Sequence, residues 1–306
     1  IGFGNIWRFP KLCYEFGGGA FLIPYCVALV FFTIPLVVLE FALGQRFQVG
    51  HVHIISLAAQ TSLASSFASG LGWAAVIGTF LLSQFYCALL AITFLYLLAS
   101  FTPALPWTDG RAESFFLAVV QPSTAADDMD RLVPQLLGGY AIVWLLVTAG
   151  ASSASSSIEI LNKIVMPVPL IILVVFLARG LTLDGAANGV RTLFTPDPSQ
   201  LLSPTIWLAA ISQLFFGVSA GLGTLTTYAS FSSRDTPIVR SAILVCLGNS
   251  AFSLLAGITV FAFLGNLASI QGVPVTSVVA GGTSLAFEVF PVAFSNLPLP
   301  HLWAIC

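Results

Sequence analysis

Four apolar runs, at residues 20–43, 71–101, 206–228 and 239–267, each exceed the roughly 20 residues that a helix needs to cross a hydrocarbon core. Lipid offers backbone N–H and C=O groups no water, so runs of this length must close their hydrogen bonds internally as helices. An all-α, polytopic integral membrane protein follows, with the lipid bilayer as its surrounding. Only 7% of the residues are charged, against roughly 25% in soluble domains. Two further runs are less clean. Residues 136–151 are short for a span, and residues 158–177 carry Glu159, Lys163 and two prolines; they are read as a pair joined by the serine-rich residues 152–157.

Between the spans the chain is unevenly polar. Residues 47–69, with His51 and His53, suit a short amphipathic helix on one membrane face. After the span at 71–101, Asp109, Glu113, Asp127, Asp128 and Asp130 outnumber Arg111 and Arg131, which marks an exposed loop. Residues 179–203 and 268–300 are read as further loops, and 231–237 as a short turn. A net charge of −2 says little about partners, and no basic cluster points to nucleic-acid or lipid-headgroup binding. The five cysteines show no CxxC or metal spacing and are expected to pack as small apolar residues. Counting Lys and Arg on the loops leaves orientation open.

Glycine interrupts the helical pattern twice. Ile1-Gly2-Phe3-Gly4-Asn5-Ile6-Trp7-Arg8-Phe9-Pro10 is one break, and residues 217–223, Gly-Val-Ser-Ala-Gly-Leu-Gly, form the other. Irregular backbone at membrane depth survives where it lines a cavity or binds something, and paired interrupted segments point to a carrier with a midplane site more than to a channel. Backbone N–H groups freed at Phe3 and Gly4 suit a carboxylate; equally, the two glycines suit close helix packing. Asn5 and Asn249 offer uncharged oxygens to a hard cation, or serve as interhelical glue. Arg8 is costly inside a membrane and so is expected to have a function. The Gly2-x-Gly4 pair lacks the third glycine and preceding strand of a dinucleotide site, and no enzyme chemistry is indicated.

The opening ten residues, then Gly17-Gly18-Gly19-Ala20-Phe21-Leu22-Ile23-Pro24-Tyr25 and Leu39-Glu40-Phe41-Ala42-Leu43-Gly44-Gln45, resemble the signatures of the neurotransmitter:sodium symporter family in order. Leu105-Pro106-Trp107, Thr195-Pro196-Asp197, Gln213-Leu214-Phe215-Phe216 and Tyr228-Ala229-Ser230 extend the likeness along nearly the whole chain. The resemblance implies a leucine-transporter-like fold with two inverted five-helix repeats and discontinuous helices one and six. Residues 1–306 would then be a single transmembrane domain, a fragment that begins within helix one and ends at the start of helix eight. It implies a multi-pass protein of the plasma membrane, the acidic loop outside and residues 231–237 inside. The implied function is sodium-coupled uptake of an amino acid or related small zwitterion by alternating access. The alternative is a degenerate, non-transporting member acting as a binding or accessory protein.

By the same resemblance, Phe3, Gly4, Leu82, Tyr86, Phe216, Gly217, Ser219 and Leu222 bind substrate: Phe3 and Gly4 through backbone N–H, Tyr86 through its hydroxyl, Ser219 at the amine. Gly2 stands where monoamine carriers have aspartate, which favours a substrate that brings its own carboxylate. Ile1, Asn5, Gly217 and Asn249 would hold Na+. Tyr25, Gln213 and Ser253 occupy three of the positions that bind Cl− in chloride-dependent members, while Gly217 lacks the hydroxyl the family usually offers to both ions. Arg8 and Phe216 would form the outer gate. Glu40 is expected to accept hydrogen bonds from an unwound segment.

Overall fold

The computed structural model describes residues 3–59, 62–120, 133–151, 163, 166–278, 287, 290–295 and 298–305. Among them the secondary structure is helical, with a lone antiparallel bridge between Gly18 and Pro196. Among the described residues three helices are long and apolar enough to cross a membrane, Gly19–Phe47, Ser65–Ser100 and Ile238–Gln271, or four if the pair Pro167–Leu181 and Ala186–Phe194, bent by 112°, is one span. Shorter apolar helices lie at Pro134–Gly150 and Pro204–Val218. In chain order the helices are α1 (Phe3–Ile6), α2 (Arg8–Glu15), α3 (Gly19–Phe47), α4 (His51–Ala58), α5 (Ser62–Ser100), α6 (Ala112–Val120), α7 (Pro134–Ala151) and α8 (Pro167–Leu181). There follow α9 (Ala186–Phe194), α10 (Pro204–Val218), α11 (Thr224–Ser230), α12 (Ile238–Gln271), α13 (Val275–Val278), α14 (Phe290–Ser295) and α15 (Pro300–Ile305).

The chain divides into two compact units, residues 1–82 with 187–261 and residues 83–186 with 262–306. In the first, α3 is the spine. It carries Pro24 in its interior and loosens into a π-helical turn over Leu29–Thr33, whose Thr33 hydroxyl bonds back to the Ala28 carbonyl at 3.2 Å. Inserting one residue into the ladder relieves the steric conflict between Pro35, at the start of the following α-helical stretch, and the Phe31 carbonyl of that turn. α10 packs along the first part of α3 and α11 along the second, so the interrupted helix follows an uninterrupted one. The core between them is aromatic. Phe9 meets Phe21 and Tyr25 edge-on, at centroid distances of 6.1 and 5.2 Å, and Leu193, Ile206, Leu214 and Phe261 are fully buried around them. Gly257 of α12 lies against the Phe9 ring, where a Cβ would stand 3.0 Å away.

The second unit is organised by Tyr96, which stacks on Trp107 at 5.3 Å and meets Phe115 and Phe287. Its hydroxyl donates to the Phe287 carbonyl at 2.8 Å, so the ring is buried without stranding its polar end. Tyr140 donates to the Gln84 side chain, a polar tie between α7 and α5.

Three segments expected to be loops hold helix. Residues 179–203 contain α9 and a 3-10 turn at Pro198–Leu202, because Asp197 accepts from the Ser199 N–H at 3.1 Å and starts a new turn. The sharp bend before α9 uses Gly185 at φ 84°, close against the Gly265 carbonyl. α6 occupies part of the acidic stretch, and α12 continues to Gln271 before the short α13. The turn after α11 and the short helix α4 stand where expected. Asp127, Asp128, Asp130 and Arg131, and the serine-rich 152–157, lie outside the described residues.

Candidate functional site

The second break is built with unusual economy. α10 ends in a Schellman arrangement: the Ala220 N–H bonds the Phe215 carbonyl at 2.9 Å and the Ser219 N–H bonds that of Phe216 at 3.3 Å. This puts Ser219 in the left-handed region at φ 57°, a conformation an L-serine adopts at a cost of roughly 1–2 kcal/mol. Gly221 and Gly223 then take φ of 80° and 76°, and α11 starts at Thr224. Glu40 of α3 accepts the Gly221 N–H at 2.6 Å, as the sequence led us to expect for an unwound segment. Its second carboxylate oxygen is buried without a partner.

The first break is slighter than the glycines suggested. α1 already includes Gly4, and the interruption falls at Trp7, which caps α2. Gly4 is small for packing reasons: a Cβ there would stand 2.5 Å from the Phe216 ring. Phe3 and Gly4 nonetheless lie in the first turn of α1, where N–H groups have no acceptor within the helix. Ile1 and Gly2 lie outside the described residues.

A buried polar cluster joins the two breaks. Asn5 donates through Nδ2 to Asn249 Oδ1 at 2.7 Å, both side chains being almost fully buried. Asn5 Oδ1 is buried with no hydrogen-bond partner. Gly217 completes the cluster: a Cβ there would stand 2.8 Å from Asn249 Nδ2 and 3.2 Å from Asn5 Oδ1. The missing side chain is therefore filled by the two amides. An unpaired buried amide oxygen costs roughly 1–3 kcal/mol, and a cation is the partner that two carbonyl-type oxygens in an apolar interior suit best.

Above this cluster Arg8 donates to Gln213 Oε1 at 2.7 Å and to the Ser212 hydroxyl at 3.0 Å, and its guanidinium lies 5.2 Å from the Phe216 centroid. Phe216 is thus held between Gly4 and Arg8. Gln213 Nε2 donates weakly to the Gly4 carbonyl at 3.4 Å. Tyr25 donates to the Ser250 hydroxyl at 3.2 Å and is also reached by Ser253, whose own hydroxyl donates to the Asn249 carbonyl at 3.1 Å. The structure therefore brings Gly4, Asn5, Arg8, Gln213, Phe216, Gly217 and Asn249 together, and Tyr25 with Ser253 beside Asn249. Leu222 and Leu82 belong to the same unit; Tyr86 lies on α5 in the second unit, half-buried, edge-on to Phe85.

Sequence reasoning missed Ser250 and Ser212. Ser250 could have been found from its place three residues before Ser253 on one helix face. Thr79 and Thr226 carry no sequence signal beyond being hydroxyls in or beside spans.

Paired helix breaks around buried, uncharged oxygen donors are the construction of a secondary transporter. The family model described as the sodium:neurotransmitter symporter family matches residues 1–114 and 111–306. The chain is 37% identical over 301 residues to an uncharacterized sodium-dependent transporter of Methanocaldococcus jannaschii, covering 97% of this chain and 59% of that protein. It is 32% identical over 335 residues to the creatine transporter of Torpedo marmorata, covering 100% of this chain and 54% of the relative. The sodium- and chloride-dependent GABA transporter 2 of Mus musculus is 33% identical over 339 residues, with coverages of 100% and 55%. The chain belongs to the sodium:neurotransmitter symporter family, a family of membrane transporters and not of enzymes, and has its leucine-transporter-like helical fold. It spans a little over half the length of these relatives.

Proposed function

We propose that the protein containing this chain is a sodium-coupled symporter of an amino acid or related small zwitterion, working by alternating access across the plasma membrane. The observation that carries this is the Asn5–Asn249 pair with the orphaned Asn5 oxygen beside Gly217. In this reading the transported Na+ takes Asn5 and Asn249 side-chain oxygens and backbone carbonyls at Gly217 and Ile1. The substrate carboxylate meets the N–H groups of Phe3 and Gly4 and the Tyr86 hydroxyl, its amine meets Ser219, and Leu82 and Leu222 shape its side-chain pocket. Phe216 covers it, and Arg8 braces Phe216. Coupling follows from shared geometry: Asn5 adjoins Gly4 in the chain, so filling the cation position and docking the carboxylate order the same short segment.

Transported Cl− is proposed at Tyr25, Gln213 and Ser253. Supporting this, all three are neutral hydrogen-bond donors, Tyr25 and Ser253 lie beside Asn249, no carboxylate replaces Ser253, and creatine and GABA relatives are described as sodium- and chloride-dependent. The non-transporting alternative gains nothing from the relatives, which are described as transporters. Reconstituted in proteoliposomes, the full-length protein should take up a labelled substrate from a panel of amino acids, GABA and creatine in sodium but not in choline. Sodium-independent uptake would overturn symport, and full uptake with chloride replaced by gluconate would overturn the chloride site alone.

A further inference from the structure

We propose that Thr79 is a positioning residue that sets the pocket wall at Leu222, an inference that rests on the proposed transport function. The Thr79 hydroxyl lies 2.9 Å from the Leu222 carbonyl and 2.9 Å from the Ala75 carbonyl of its own helix. One proton is shared between two acceptors. Leu222 sits between Gly221 and Gly223, both at positive φ, and outside both half-helices. Its carbonyl therefore has no place in either intrahelical ladder, and the two flanking glycines leave its backbone free to turn. Gly221 has open space where a side chain would be, so packing does not hold it.

Two hydrogen bonds do. Glu40 takes the N–H of Gly221 from α3, and Thr79 gives its proton to the C=O of Leu222 from α5. Consecutive residues of the break are thus gripped by different helices, one through a donor and the other through an acceptor. Three other threonines of the apolar helices behave differently, whereas Ser100 of α5 shares the double bonding of Thr79 but reaches the Ala304 carbonyl within α15. Thr93, Thr148 and Thr259 bond back to the carbonyl four residues earlier, which needs no tertiary role. Thr79 makes that bond and reaches a second acceptor, a carbonyl that lies outside both half-helices, while Thr224 ties back only the Ser219 carbonyl of the same break. The direction in which the Leu222 side chain projects then depends on Thr79, which need not touch the substrate.

The experiment compares Thr79→Val, Thr79→Ser and, as a control of the same chemistry, Thr259→Val in the full-length protein. Losing one net hydrogen bond should change KM for the preferred panel substrate by about two- to tenfold. It should also alter the KM ratio between glycine, alanine and leucine, with the sodium requirement unchanged. Thr79→Ser should restore both, and Thr259→Val should change neither. Independently of transport, deuterium uptake in the peptide spanning residues 219–224 should rise in Thr79→Val and not in the control. Unaltered exchange, or equal shifts in Thr79→Val and Thr259→Val, would overturn the anchor. Wild-type protein that transports no member of the panel would count against the proposed function, while exchange would still decide the anchor.

Discussion

Gly217 is the residue whose replacement has the most calculable result. It lies inside α10, so Gly217→Ala should favour the helix by about 1 kcal/mol, and loss of fold is not the expected effect. The added Cβ would stand 2.8 Å from Asn249 Nδ2, which must withdraw by about half an ångström to reach ordinary contact. Asn249 is buried and tied to Asn5 through its Oδ1 by a 2.7 Å bond, so the crowded amide must turn, which weakens that bond and at the limit strands both the Asn5 donor and the Asn249 acceptor. Such a loss costs roughly 1–3 kcal/mol, which at 1.36 kcal/mol per decade is about five- to 150-fold. If these amides hold the transported sodium, the sodium concentration for half-maximal uptake should rise by that factor. Gly217→Ser meets the same crowding but adds an oxygen beside the pair, so it should fall between alanine and wild type. A sodium requirement unchanged in Gly217→Ala would refute the cluster as the cation site. Serine proving worse than alanine would show that position 217 does not face the cation.

Two other positions give results of definite sign. Ser219→Gly should stabilise the protein by roughly 1 kcal/mol, because glycine removes the cost of the left-handed conformation; in the same variant substrate affinity should fall, and unchanged affinity would remove the Ser219 hydroxyl from the site. His51 on α4 lies 2.6 Å from Thr226 Oγ1, whose proton goes to the Gly223 carbonyl at 2.8 Å, so the ring donates through Nδ1 and takes up a proton at Nε2. Burial pushes the His51 pKa below its usual value. The charged side chains on the elements packed around it are Glu40 and Arg46 of α3; Tyr228 of α11 and His53 of α4 itself are also titratable. A folded pKa below the unfolded one means that the unfolded chain binds more protons. Stability should therefore be complete above about pH 6.5 and decline as pH falls below it. Melting temperature in detergent at pH 7.5 and 5.5 tests this; a His51→Gln variant as pH-sensitive as wild type would refute it.

What could be read from the residues divides by where the cause lies. The break at 217–223 was legible because three glycines in seven residues cannot sit comfortably in a membrane helix, and Gly221 and Gly223 do adopt positive φ. Glu40 was legible for a similar reason, since a carboxylate inside an apolar span needs a donor and the unwound segment offers one. Gly4 misled as to where the first break falls. Gly4 is helical, and its small size is required by Phe216, more than two hundred residues away in the chain. Ser219 takes the left-handed position, although glycines stand on either side of it at 217 and 221, because the Schellman bonds to Phe215 and Phe216 fix where α10 stops. Gly217 has the deepest dependence. From the sequence it is a missing hydroxyl, a defect in an ion site; with Asn5 and Asn249 in place it is the space those two amides occupy. Absence of a side chain has a meaning only relative to what fills the gap, and that is decided by helices that meet through folding. A glycine that serves local backbone freedom can thus be recognised from its neighbours in sequence, whereas one that admits a distant side chain cannot.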